Sequence, residues 1–545
     1  MHAEPIPTPY TSHVDTFARD RLPPQHLWPE FRFELPELQY PERINCGVAL
    51  LDDAVREGHG ERVALYSDSG VWTYSQLLDR TNRIANVLVN DMGIVPGNRV
   101  LLRGPNNPML VACWLAVMKA GAIAVTTMPL LRAQELSVIA ERARIDHALC
   151  DSRFDQELEQ AAKIGGRLRN IVRYGSSCGD GPLETMMNGQ ASTFDNVDTA
   201  RDDICLLAFT SGTTGTPKAT MHFHRDVLAM REVVAGHLLE TRPDDIYVGS
   251  PPLGFTFGLG ALLVFPLGRR AASILVEQPS GENLLAAVQR FRATGLFTSP
   301  TAYRSMLPIL PKFDVSSLER CVSAGEPLSK GTSEAWFAAT GIRLIDGIGA
   351  TELIHIFISA KGEQIRPGFT GKPLPGYQAC ILGADGLPLP PGKVGRLAVK
   401  GPTGCRYLDD PRQRDYVQQG WNITGDLYSQ DEDGYYRFEA RADDMIISAG
   451  YNIAGPEVEA ALLEHPAVKE CAVIGVPDAA RGQLVKAFIV LQEGNVGTPQ
   501  LAETLQQFVK QRIAPYKYPR AIEFRSSLPK TATGKLQRHA LRASG

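Results

Sequence analysis

Along the chain, short apolar runs alternate with amphipathic stretches, and this alternation predicts most of the secondary structure. Thr73 and Gln76 form a capping-box pair ahead of Leu77, Ile84 and Leu88, with Gly93 as the C-cap of the predicted helix. An apolar run at 100–102, a helical stretch at 108–120, a second run at 123–127, a helical stretch at 131–143 and a run ending at Cys150 follow. Strands alternating with helices predict βαβ units in a mainly parallel sheet. The pattern resumes after Asp203, with strands expected at 204–209, 246–249, 273–276, 296–298, 320–323 and 343–346. Two successive α/β sheets of similar plan are therefore expected, without a residue-level repeat.

The ends differ. Residues before about position 45 are proline-rich and weakly periodic, which predicts an extended strap on the main body. Between 371 and 438, short β-like runs with Gly, Pro and Asp turns predict a small antiparallel region. After the charged stretch Arg441–Asp444 comes a compact α+β block: helix 456–464, strands 469–476 and 485–491, helix 499–513, then a Lys/Arg-rich tail. The expected class is α/β: a large N-terminal domain of two α/β sheets plus a small β region, residues 1–440, followed by a small α+β domain, residues 445–545.

Composition narrows the function. At 545 residues the chain needs more than one core, and 44% hydrophobic with 21% charged residues describes a globular protein. A net charge of −4 argues against a general nucleic-acid or anionic-membrane surface. The most apolar region, 109–131, is broken by Lys119, Gly121 and Pro129, short of the roughly 20 apolar residues a membrane helix needs. Nine dispersed cysteines without a CxxC pair read as buried or free thiols in a reducing compartment. The opening MHAEPIPTPYTSHVDTF carries acids and prolines where a signal peptide needs a basic start and an apolar run, so a cytoplasmic setting is expected.

The most informative stretch is LLAFTSGTTGTPKATMH, residues 206–222. An apolar strand runs into Thr210, Ser211, Gly212, Thr213, Thr214, Gly215, Thr216, Pro217 and Lys218. Two glycines let the backbone bend and present its N–H groups, the hydroxyls add donors, and Lys218 adds positive charge. That describes a cradle for a triphosphate, although the Walker A spacing is absent.

TSGTTGTPK resembles the signature loop of the acyl-adenylate-forming superfamily: AMP-dependent acyl-CoA synthetases, peptide-synthetase adenylation domains and firefly luciferase. Further motifs follow in that superfamily's order. DGIGATE resembles the motif whose threonine meets the α-phosphate and whose glutamate holds Mg2+, which implies Asp346, Gly347, Thr351 and Glu352, with Glu352 as the metal ligand. SAGEPL resembles the adenine-lining segment and implies Gly325, Glu326 and Pro327. WNITGDLY resembles the ribose motif and implies Asp426, joined by Arg441. RADDMIISAGYNI resembles the domain hinge and the loop beyond it, implying a hinge at 441–444 with Asp443 at its centre, a mobile C-terminal domain, and Gly450 beside the pantetheine arm of coenzyme A. LPKTATGKLQR resembles the catalytic-lysine motif and implies Lys535, flanked by Lys530.

The resemblance implies ATP, Mg2+ and coenzyme A as the reaction's components and a small carboxylic acid as substrate. Attack of a carboxylate on the α-phosphorus crowds negative charge there, so fixed positive charge from Lys535, Lys218 and the cation on Glu352 should dominate catalysis. The acid pocket implied for the family lies between residues 253–260 and the DGIG glycines: Phe255, Phe257, Gly258, Ala324, Ile348, Gly349 and His355. No aspartate stands in 253–260 to pair with an α-ammonium group, which argues against amino-acid activation. His355 is expected either to reach a polar ring substituent or to pack structurally. The DGIG form, ELIHIFIS and the N-terminal half resemble benzoate and 2-aminobenzoate ligases, so the resemblance points to a small aromatic acid, with 2-aminobenzoate leading. Loading of a carrier-protein phosphopantetheine and a catalytically silent nucleotide-binding protein are the alternatives, and a homodimer is one option for assembly.

Overall fold

The computed structural model describes residues 10–175, 181–210, 217–448, 451–478, 481–513, 515–530 and 536–543. Six strands form the first sheet in the order Asn170–Tyr174, His147–Asp151, Arg99–Arg103, Ile123–Thr127, Ile204–Thr210 and Lys218–Phe223. All are parallel except the last pair, Ile204–Thr210 with Lys218–Phe223, which is antiparallel. Between its strands the helix Pro108–Lys119 is buried on every side. Each large apolar side chain it buries contributes about 1.5–3 kcal/mol. Lys119, which interrupts that apolar run, sits fully buried with its Nζ 2.6 Å from Asp52 Oδ1. Among the described residues, no helix is long and apolar enough to cross a membrane.

The second sheet has nine strands, with a parallel centre formed by Ile246–Gly249, Ala272–Ile274, Gly295–Thr298, Arg320–Ala324 and Leu344–Gly349. One edge is supplied by Val63–Ser67, which pairs in parallel with Ala272–Ile274 and turns back antiparallel through Gly70–Thr73. This hairpin precedes the whole first sheet in sequence yet belongs to the second. The next element is the helix Tyr74–Asn86, whose capping box is fully formed: Gln76 N–H donates to Thr73 Oγ1 and Thr73 N–H to Gln76 Oε1. Gly93 takes the left-handed conformation, φ +67°, that a C-cap glycine serves.

A five-stranded antiparallel sheet follows, containing Gln378–Leu382, Gly395–Lys400, Val417–Gln418, Trp421–Gln430 and Tyr436–Arg441. The chain leaves it through the 3-10 turn Ala442–Asp444 into a separate mixed sheet of Met445–Ser448, Tyr451–Ala454, Val468–Asp478, Gly482–Leu491 and Ala521–Phe524, flanked by the helices Gly455–Leu463 and Pro499–Arg512. The N-terminal strap consists of short 3-10 turns laid along the body. Thr11 and Ser12 bond to the buried Asp203, Glu30 N–H donates to Gly420, and Arg32 N–H donates to Gly401.

Candidate active site

Thr210 ends one strand and Lys218 begins its antiparallel partner, the two residues facing each other in register. Ser211, Gly212, Thr213, Thr214 and Gly215, the bend between them, lie outside the described residues. Among the described residues, the Thr210 hydroxyl is enclosed without a hydrogen-bond partner. At the other end of the bend, the Pro217 carbonyl accepts from Arg142 Nη1 at 2.5 Å, and Arg142 is itself held by Asp410 at 2.9 Å.

Lys218 points at the DGIGATE segment. Its Nζ donates to Tyr407 Oη at 2.8 Å and lies 3.4 Å from Glu352 Oε1, while Tyr407 Oη donates to the same oxygen at 2.5 Å. Burial beside the Glu352 carboxylate drives the Tyr407 phenol far above its ordinary range, so it stays a donor. Residues 406–408 run alongside the Lys218–Phe223 strand: Met221 N–H donates to Arg406 and Leu408 N–H to Ala219. Arg406 and Asp226 form a fully buried ion pair beneath, with the Arg406 guanidinium 3.9 Å from the Phe223 ring centroid. Breaking such a pair costs about 3–5 kcal/mol, so the Tyr407 backbone is firmly seated.

Thr351 and Glu352 sit in the 3-10 turn Thr351–Leu353 after the strand Leu344–Gly349. His222 Nε2 donates to the Thr351 carbonyl at 2.8 Å. Ile354 follows with φ +65°, a conformation a β-branched residue adopts only at a cost of order 1–3 kcal/mol. That bend reverses the chain into Ile356–Ser359, which returns antiparallel to Leu344–Gly349. Upstream, Asp346 is opposite Ser323 and Gly347 opposite Ala324 across the sheet. Burial pushes the Asp346 carboxyl up to about 8, against the opposing pull of the Gly347 N–H and Thr370. Gly325 turns the chain with φ +88°, and the Glu326 carboxylate is taken by Thr301, whose Oγ1 donates at 2.7 Å. Pro327 is exposed beside them.

Asp426 and Arg441 face each other across two antiparallel strands, with Arg441 Nη1 2.7 Å from Asp426 Oδ1. The buried Tyr416 phenol is held up by burial first and then by the charges of Glu352 and Asp426. Tyr428 is raised by burial, Asp426 and Asp346 together. The three carboxylates therefore share one neighbourhood.

Beside it lies a packed apolar cluster around His355. Phe257 packs 5.8 Å from the His355 ring and 6.5 Å from Phe297, and Phe265 is 4.7 Å from His355. A Cβ on Gly260 would fall 2.5 Å from His355 Nε2, one on Gly349 2.9 Å from the His355 backbone, and one on Gly258 2.1 Å from the Pro252 carbonyl. Ile348 and Phe257 are half-buried against the main core, and Phe255 is half-buried ahead of the short helix Thr256–Leu259. Asn106 fixes the near wall, donating to the Pro251 carbonyl and accepting from Leu253 N–H. His355 is 4% exposed, and burial lowers it to about 3, so the ring is neutral. Both of its nitrogens are enclosed without a well-formed hydrogen bond, the Phe257 backbone being the nearest candidate.

The sequence pattern of AMP-binding enzymes matches residues 51–406, and that of the AMP-binding enzyme C-terminal domain matches residues 457–535. The chain belongs to the AMP-binding enzyme family. It is similar to the benzoate–CoA ligase of Thauera aromatica, 34% identical over 519 residues that cover 93% of this chain and 98% of that protein. Among solved structures, an anthranilate CoA ligase in complex with anthranoyl-AMP superposes with a TM-score of 0.89 at 34% identity, covering 94% of this chain and 99% of the other. A benzoate CoA ligase from Burkholderia xenovorans LB400 gives 0.84 at 31%, covering 92% and 100%. This AMP-binding enzyme is thus an acyl-adenylate-forming protein, an AMP-forming acid–thiol ligase.

In this AMP-binding enzyme the C-terminal candidates are only partly in view. Lys535 and Gly450 lie outside the described residues, as does the side chain of Asp443, whose backbone is in the Ala442–Asp444 turn. The basic tail is not a free solvated cluster: Lys530 pairs with Glu470, Arg538 with Glu459 and Arg542 with Asp444. Sequence reasoning did not single out Tyr407, His222, Arg142 or Asn106. Each acts on a partner more than 50 positions away, so no local spacing marks it. The structure also gathers Cys46, Cys205 and His224 in the buried core, with Cys46 Sγ 3.1 Å from His224 Nδ1, a contact joining three distant segments.

Proposed function

We propose that the protein activates a small aromatic carboxylic acid of the benzoate type, 2-aminobenzoate foremost, as its acyl-adenylate and transfers the acyl group to coenzyme A. The products are the aryl-CoA, AMP and pyrophosphate. The observation that carries this reading is the meeting of Lys218, Glu352 and Tyr407 beside Asp346 and the Asp426–Arg441 pair, with the aromatic cluster around His355 adjoining.

In the first step an oxygen of the substrate carboxylate attacks the α-phosphorus of ATP, and pyrophosphate leaves. The glycine bend from Thr210 to Lys218 would hold the outer phosphates; the unpartnered Thr210 hydroxyl at its edge suits a phosphate oxygen. Thr351 would meet the α-phosphate and Lys535 would bring fixed positive charge to the developing oxyanions. Asp426 can accept both ribose hydroxyls, with Arg441 orienting its carboxylate. Asp346, whose carboxyl is pushed up to about 8, could in its protonated form donate a hydrogen bond to the nucleotide, with Gly347, Gly325, Glu326 and Pro327 forming the adjoining wall and Ala324 facing the acid. A hard divalent cation fits Glu352, a nearly buried carboxylate that already faces one cation, the Lys218 ammonium. Mg2+ bound there would offset phosphate charge as the α–β bond breaks.

In the second step the thiol of coenzyme A attacks the acyl carbon and AMP leaves. Lys535 must then withdraw. We read residues 1–440 as the adenylate-binding domain, 441–444 with Asp443 as the hinge, and 445–545 as the mobile domain that brings Gly450 toward the pantetheine. The aromatic preference rests on the apolar surroundings that Phe255, Phe257, Gly258, Ile348, Gly349 and neutral His355 would offer a ring, and on the benzoate and anthranilate ligases among the relatives. The His355 nitrogens, enclosed and lacking good partners, suit an amine ortho to the carboxylate. A panel of carboxylic acids assayed for ATP- and CoA-dependent AMP release tests the reading. Benzoates, led by 2-aminobenzoate, should head the panel; turnover confined to aliphatic or amino acids, or AMP release requiring a carrier protein, would overturn it.

A further inference from the structure

Glu352 is approached from two sides, by a residue of the strand Lys218–Phe223 and by one bridged to that strand at Thr220. His222 holds the carbonyl of the preceding residue, and Tyr407 holds the carboxylate itself. The Tyr407 side chain is 1% exposed, and its backbone is fixed by the bridge to Thr220 and by the Leu408–Ala219 hydrogen bond. Its hydroxyl performs two tasks at once. It donates to Glu352 Oε1 and accepts from Lys218 Nζ, whose ammonium also lies 4.8 Å from the centre of the Tyr407 ring.

We propose that Tyr407 is a positioning residue for the cation site of the adenylation step, fixing the Glu352 carboxylate through Oε1 and retaining Lys218 at the site's edge. This rests on the reading of Glu352 as the cation anchor. The geometry has a direct consequence. Both the tyrosine and the lysine engage Oε1, so Oε2 is the oxygen assigned to a divalent cation. The Lys218 ammonium, 3.4 Å from Oε1, balances the carboxylate when no other cation is present. A divalent cation held by Glu352 would supply that charge instead, leaving Lys218 available to the triphosphate, while the Tyr407 hydroxyl keeps Oε1 bonded. Loss of that hydroxyl would leave the carboxylate free to rotate and to close onto Lys218 as a simple ion pair. Hydrogen bonds behind a metal ligand commonly contribute 10- to 100-fold to metal affinity.

The test uses the full-length protein with α,β-methylene-ATP, which cannot transfer its adenylyl group, and Mn2+ titrated by electron paramagnetic resonance. Tyr407→Phe should weaken Mn2+ binding about tenfold, Glu352→Gln at least as much, and the double variant should resemble Glu352→Gln alone within about twofold, as expected of coupled residues. Tyr407→His, which retains a ring donor, should recover part of the loss. If Tyr407→Phe does not fold, Tyr407→His compared with Tyr407→Leu reads the same difference. In steady state the half-saturating Mg2+ concentration should rise in Tyr407→Phe while the KM for the acid stays put, a split that general loosening of the fold would not produce. If Glu352→Gln weakens Mn2+ and Tyr407→Phe does not, or if the two losses simply add, the positioning role is overturned and Glu352 keeps its assignment. If Glu352→Gln itself leaves Mn2+ binding unchanged, the anchor reading is overturned, and the role of Tyr407 with it.

Discussion

The Nε2 of His222 donates to the backbone carbonyl of Thr351 across 2.8 Å, tying the strand that leaves the phosphate bend to the turn that presents Thr351 and Glu352. A carbonyl can only accept, so the proton resides on Nε2, and Nδ1 faces Asp226 Oδ2 at 3.6 Å. The end of one sheet is thereby fixed against the turn that follows a strand of the other. His222→Leu should leave that carbonyl without a donor, at a cost of about 1–3 kcal/mol. We expect a lower melting temperature together with slower ATP–pyrophosphate exchange, and partial recovery in His222→Gln, whose amide can donate. Unchanged exchange in His222→Leu would remove the histidine from the site's architecture.

Lys535 is assigned to adenylation alone. Lys535→Ala should lower carboxylate-dependent pyrophosphate exchange by roughly 10²–10³, the usual effect of removing one preorganised contact to transition-state charge. Thioester formation from preformed acyl-adenylate and coenzyme A should proceed at near the original rate. Equal losses in both half-reactions would show that the lysine does not leave between steps.

The Asp426–Arg441 pair makes a claim about the nucleotide's sugar. Asp426→Ala should raise the KM for ATP by about 10- to 100-fold, the range expected when charged hydrogen bonds worth about 1.5–3 kcal/mol are lost. The telling comparison is with 2′,3′-dideoxy-ATP. The unaltered protein should discriminate strongly against it, and Asp426→Ala should accept both nucleotides about equally poorly. Retained discrimination would move ribose recognition elsewhere.

Asp346 makes a claim about pH. Its carboxyl sits at about 8 in the folded protein against an ordinary 3.8, because burial disfavours the charge. Between those values the folded state holds a proton that the unfolded chain has released. The stability this protonation contributes is full below pH 4 and is lost as pH rises toward 8. Melting of the ligand-free protein from pH 5 to 9 should therefore decline more steeply than in Asp346→Asn, which cannot ionise, with the gap widening in the variant's favour as pH rises. Parallel curves would count against a buried, protonated Asp346.

Local chemistry determined a great deal here. The capping box at Thr73 and Gln76, the C-cap at Gly93, and the apolar runs that became Ile123–Thr127, Ile204–Thr210 and Ile246–Gly249 all follow from interactions spanning a few residues. The motifs were readable for the same reason: hydroxyls, glycines and a lysine packed into one bend, or an acid and a threonine side by side, declare their chemistry within a single turn. The hairpin Val63–Thr73 had its turn signal in Asp68, Ser69 and Gly70, but its place at the edge of the second sheet, beyond the whole first sheet, came from packing. Only tertiary structure could put Tyr407 on Glu352, His222 on Thr351, Arg142 on Pro217 and Phe257 on His355. Those contacts join segments tens to hundreds of residues apart, and their energy depends on burial and orientation that no local spacing encodes. The sequence by itself therefore determined which chemical groups the protein carries and the class of reaction they suit; the folded arrangement decided which of those groups hold one another in place, because a hydrogen bond across two sheets exists only once both sheets have formed.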